Sequence, residues 1–297
     1  LINQFYRQLL GAGEFDRIVN IYSIHGLIFA ISCYTFPYVF TLVANALDKI
    51  PSDLEDASAI LGSSSWRTIR RITVPMVLPA MLAGTMIAIL QALTMFGSPA
   101  ILALPAGFHV ITTKIWSLFQ FPPRLELAAA ASLPLLVITI LLLQGQRWIL
   151  GRKGYTVQGG KSGQPRITQL GRGKWLGLIY VGIVLSVTVI LPYFALIRTS
   201  LLRNIAEPFA LATLTLRNFE FVLFEFSATR LAMFNTFVLG VSTATICTII
   251  AVVTAYFVSR RLVYGTGILG VLATAPVAIP GIVLGVGLFL SFTSPPL

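Results

Sequence analysis

Charge is scarce in this chain, and it is missing from the interiors of its long apolar runs. Asp, Glu, Lys and Arg make up 10% of the 297 residues, against 56% that are apolar, which excludes an ordinary soluble domain. Proton-driven carriers and voltage sensors place ionisable groups at membrane depth, and here His25 and Glu126 sit only near the ends of apolar runs. Energy for any transport is therefore expected to enter from outside the bilayer. Cysteine is equally rare: Cys33 and Cys247 both lie within apolar runs, so neither a disulfide framework nor a metal site is expected. The chain also lacks the nucleophile, base or metal constellation of a membrane enzyme, so no catalytic residue and no cofactor is assigned.

What is abundant is apolar length. A helical span needs about 20 mostly apolar residues. Six stretches qualify: Ile21 to Leu47, Met76 to Ala103, Leu125 to Leu143, Trp175 to Ile197, Leu231 to Val258 and Val263 to Phe292. The runs are continuous and not alternating, so the predicted class is an all-α membrane protein, a polytopic helical bundle rather than a barrel. The net charge of +11 invites a nucleic-acid reading, but the cations sort by loop. Span parity puts the loop around Pro51 from Lys49 to Arg71, the segment from Arg147 to Lys174, and Arg260 with Arg261 on one side; these hold 13 of the 21 Lys and Arg. The positive-inside rule makes that side cytoplasmic, and anionic headgroups suffice as partners for the excess. No nucleic-acid partner is expected.

The stretch from Pro51 to Pro79, PSDLEDASAILGSSSWRTIRRITVPMVLP, is a polar interruption between two apolar runs. Ser52 and Glu55 have the spacing of a capping box. Asp53, Glu55 and Asp56 suit the positive end of a helix dipole, and Gly62 suits a left-handed closing residue. A helix from about Asp53 to Leu61 is predicted. Leu54, Ala57, Ser58 and Leu61 fall on one face of it, mostly small and fit for close approach by another backbone. Ser64 or Ser65 can cap a second short helix bearing Trp66, Arg67, Arg70 and Arg71.

This loop resembles the EAA loop of permease subunits of binding-protein-dependent ABC importers, which reads E-A-A, three residues, G, nine residues, I-x-L-P. The register falls on Asp56-Ala57-Ser58, Gly62 and Ile72-Thr73-Val74-Pro75, with Asp for Glu, Ser for the second Ala and Val for Leu. The resemblance implies an ABC importer permease fold. It also implies that a helix carrying Leu54, Glu55, Asp56, Ala57, Ser58, Leu61 and Gly62, followed by Ile72 and Pro75, docks on a dimeric cytoplasmic ATPase. A soluble substrate-binding protein on the outer side and a bacterial inner-membrane location follow from the same resemblance.

The second span ends in Met95-Phe96-Gly97-Ser98-Pro99-Ala100, where glycine and proline can free backbone groups toward a cavity. Gln91, Thr94, Phe96 and Ser98 are the candidate pathway residues, and interhelical hydrogen bonding is the alternative role for the polar ones. FGSPAIL followed by LPAGF is similar to a stretch of iron(III) importer permeases, which favours iron(III) as solute; thiamine, a phosphonate or a polyamine also fit small hydroxylic lining residues.

Residues 151–173 read as a Gly-rich, basic cytoplasmic linker. Its Gly159-Gly160-Lys161-Ser162 fails the phosphate-loop pattern because Tyr155 stands where glycine is required. The segment resembles the junction of fused iron(III)-type permeases. On that basis, residues 1–150 are expected to be the closing part of a first permease domain. Residues 174–297 are then the opening part of a second, truncated before its coupling loop, and the start at Leu1 is read as that of a fragment. In the outer segment before Arg230, Thr215 is a predicted N-cap, with Phe219, Val222, Leu223 and Phe226 on one interfacial face. The rival to an ATP-driven importer is a cation-coupled secondary transporter with broken helices, its site in the unwound Pro276 to Gly287.

Overall fold

The structure is a computed structural model that describes residues 20–152, 171–204, 210, 213–262, 264–274, 276 and 279–293. Its helices are α1 (Ile24–Leu47), α2 (Ser52–Ile60), α3 (Ser65–Thr94), α4 (Gly97–Leu102), α5 (Ile111–Ser117) and α6 (Leu125–Arg152). After these come α7 (Lys174–Ser200), α8 (Arg217–Glu220), α9 (Ser227–Ser259), α10 (Thr266–Thr274) and α11 (Gly281–Thr293). Five of them, α1, α3, α6, α7 and α9, are long and apolar enough to cross a membrane. The protein is thus a polytopic helical membrane protein.

Two of the spans differ in extent from expectation. The second span begins at Ser65, not Met76, because the short basic helix runs straight into it, and it ends at Thr94, where Met95 turns extended. The expected last span is two helices, α10 and α11, separated at Pro276 and Pro280. Proline lacks the amide donor and blocks the preceding carbonyl, so two prolines four residues apart stop a helix.

Proline acts more gently elsewhere. Residues Ile69–Thr73 of α3 and Ser186–Ile190 of α7 form π-turns, in which the Val74 and Leu191 amides reach back five residues to Ile69 and Ser186. Each lies just before a proline, Pro75 and Pro192. The wider turn makes room for the ring and keeps the helix running.

The described chain forms two compact units. In one, α1 to α6 associate with α11. Gly84 of α3 lies against Val39 of α1 so closely that a Cβ would stand 2.9 Å from the Val39 Cα. Ile115 of α5, Leu135 of α6, and Val283 and Val286 of α11 form its buried cluster, joined by the edge-to-face pair Phe119 and Phe289.

The other unit contains α7 to α10. Asn218 Nδ2 donates to the Ser200 and Leu202 carbonyls at 3.0 and 2.7 Å, which ties the start of α8 to the end of α7. Leu216, not the predicted Thr215, is the N-cap of α8, and the Thr215 hydroxyl one residue earlier accepts from the Arg217 amide at 3.1 Å. The expected interfacial face is interrupted: Phe221–Glu225 is a π-turn and Phe226 leaves the helix. Arg217 forms a two-point ion pair with Glu225, and its guanidinium pKa is raised by that hydrogen bond and charge and, less, by Glu220.

Candidate functional site

Two regions hold the predicted site residues. The first is the loop between α1 and α3. Helix α2 starts one residue earlier than expected, with Pro51 as N-cap in an extended conformation and no side-chain cap bond. The predicted capping box is absent for that reason: Ser52 is already helical, so its hydroxyl lies beside the first turn and not beneath it.

The closing end matches the prediction. Gly62 has φ +75, its amide donates to the Ala59 carbonyl at 2.9 Å, and the Ser63 amide donates to the Ser58 carbonyl at 3.0 Å. This pair of bonds is the Schellman closure, and it requires a left-handed residue at Gly62.

Closure divides the predicted face. Ser58 is buried, 7% exposed, and its hydroxyl lies 2.8 Å from that of Thr68. Leu54, Ala57 and Leu61 remain exposed, Leu61 at 84% and its neighbour Ile60 at 85%. Asp56 is exposed and Glu55 is half-buried. Ile60 lies one position outside the face considered in sequence, yet with Leu61 it forms an apolar tip on an otherwise polar loop. Trp66, 72% exposed, adds a ring at the start of α3. Ile72 sits in the π-turn and Pro75 just after it. The Thr73 hydroxyl oxygen in that turn is buried without a hydrogen-bond partner.

The second region is the break between α3 and α4. Gln91, Thr94, Phe96 and Ser98 are half-buried around it. The Thr94 hydroxyl donates back to the Leu90 carbonyl at 3.0 Å, which satisfies it within its own helix. Phe96 packs on Trp116 with ring centroids 5.9 Å apart. Sequence reasoning missed Thr112 and Thr113, both fully buried. Thr112 donates to the Met95 carbonyl at 2.8 Å, and Thr113 accepts from the Val110 amide at 3.0 Å as the start of α5. The only signal was a hydroxyl doublet in an apolar stretch. Gly159 to Ser162 lie outside the described residues.

The described residues thus hold a membrane-spanning helix set with a closed polar helix between its first two members and a span broken at glycine and proline. Residues 9–155 match the family model described as "Binding-protein-dependent transport system inner membrane component". The molybdenum transport system permease protein ModB of Escherichia coli K12 is 26% identical over 153 residues, 50% of this chain and 67% of that protein. The sulfate transport system permease protein CysT of the same organism is 27% identical over 162 residues, 53% of this chain and 56% of that protein. Bacillus subtilis 168 has the "Probable ABC transporter permease protein YqgI", 33% identical over 105 residues, 35% of this chain and 34% of that protein. No solved structure matches. The chain belongs, over residues 9–155, to the binding-protein-dependent ABC importer permeases.

Proposed function

We propose that the chain forms part of the transmembrane pathway of an ATP-driven importer in a bacterial inner membrane. The loop from Pro51 to Pro79 receives a dimeric ATPase subunit in the cytoplasm, and a soluble binding protein delivers the solute from outside. ATP hydrolysis resides in the partner, not in this chain. The observation that carries the reading is the exposed tip of Ile60 and Leu61 on a helix closed at Gly62, in the register of the EAA loop. An exposed apolar tip on an otherwise polar loop is a surface that a protein partner can cover. Residues 1–150 and 174–297 are read as parts of two tandem permease halves joined by a cytoplasmic linker.

The test is purification of the tagged full-length protein from membranes. The expected result is a stoichiometric ATPase subunit, identified by mass spectrometry, that Ile60→Asp with Leu61→Asp releases. Absence of any ATPase from the unsubstituted complex overturns the reading. The rival carrier with broken helices draws support from the interruption between Thr274 and Gly281. Uptake that persists when ATP hydrolysis is blocked would favour it.

The iron(III) reading rests on the resemblance of Phe96 to Leu102 and Leu104 to Phe108. A second reading takes sulfate or molybdate from the names of the relatives. Uptake of radiolabelled iron(III), sulfate and molybdate by cells expressing the complete transporter separates them.

A further inference from the structure

We infer that the hydroxyls of Ser58 and Thr68 act as a latch that makes the docking helix α2 and the span α3 move as one body. The inference rests on the docking reading above and assigns two positioning residues within it. Residues 61–64 are the whole covalent connection between the two helices, and they include Gly62. A turn of that kind can absorb a displacement of α2 before it reaches the span.

The latch bypasses the turn. Ser58 and Thr68 are ten residues apart in sequence, and their hydroxyl oxygens are 2.8 Å apart. The Thr68 hydroxyl also lies 3.3 Å from the Ser64 carbonyl, and either hydroxyl can donate within the pair. Ser58 is held twice, because its own carbonyl accepts the Ser63 amide. Thr68 in turn belongs to a helix that runs without interruption through the π-turn to Thr94. A push on Leu54, Ala57 or Leu61 thereby passes through Ser58 to Thr68 and along α3. Ser58 is buried and Thr68 half-buried, so the bond is partly shielded from exchange with water.

The experiment uses the full-length transporter with its ATPase, Cys33 and Cys247 replaced by Ser, and spin labels at Ala59→Cys and Leu82→Cys. With the latch intact, one label distance persists in both nucleotide-free and ATP-bound complexes. Ser58→Ala, Thr68→Val and their double variant each add a second distance population, about fivefold above any in the parent, the size expected for one lost hydrogen bond of ordinary strength. The double variant is no worse than either single change, Thr68→Ser restores the single distance, and ATPase retention is unaffected. An unchanged distance in the double variant, with the ATPase retained, overturns the latch and leaves the docking reading intact. Loss of the ATPase from the double variant assigns the pair to docking and also overturns the latch. A parent complex without ATPase overturns both.

Discussion

The Thr112 hydroxyl donates a 2.8 Å hydrogen bond to the Met95 carbonyl, at the point where the span α3 breaks. Met95 is extended, so its carbonyl has left the helical ladder and needs a partner inside an apolar surround. Thr112→Val keeps the shape and removes the donor. The expected cost is about 1–3 kcal/mol, the penalty for an orphaned buried acceptor. Thermal unfolding of the detergent-solubilised protein should show a lower midpoint for Thr112→Val than for Thr112→Ser; equal midpoints would contradict the role given to this bond.

Gly84 and Val39 set a second prediction. A Cβ at Gly84 would meet backbone at 2.9 Å, whereas one at Gly285 of α11 meets nothing within 4 Å. Small residues let helices approach closely, and the added methyl must push α1 and α3 apart. Gly84→Ala should lower the unfolding midpoint and Gly285→Ala should not. The reverse order would mean that α1 and α3 do not cross at this glycine.

The closing turn of α2 supplies the third. Gly62 has φ +75 with open space around it, so a side chain there costs about 1 kcal/mol of backbone strain without a clash inside the chain. A clash arises only against a docked partner. Gly62→Arg in the full-length transporter is expected to insert normally but to abolish uptake and ATPase retention, with Ser63→Arg milder. Normal uptake and retention by Gly62→Arg would remove the docking assignment.

Topology can be checked directly. With Cys33 and Cys247 replaced by Ser, single cysteines at Ser63, Ser200 and Ser259 should label from the cytoplasm, the outside and the cytoplasm. This order follows from the sequence of spans α1, α3, α6, α7 and α9. A different pattern would show that a span has been misassigned.

The sequence by itself determined the membrane class, five of the spans and the need for glycine at position 62. Each of these depends on local chemistry: apolar length against bilayer thickness, the missing amide of proline, and the freedom of a residue without a Cβ. The boundary at Ser65 was less legible, because Trp66 and three arginines read as a separate short helix until the π-turn joins it to the span.

Tertiary structure alone decided which residues meet. It turned Ser58 inward to Thr68, paired Thr112 with Met95, and set Gly84 against Val39. It also placed Val283 and Val286 of α11 beside Ile115 and Leu135. In a soluble helix an apolar stripe announces the buried face, but a span is apolar all round, so its periodicity carries no such information. Contacts between spans are selected by shape and by a few hydroxyls seeking carbonyls, and those matches exist only once the helices stand side by side.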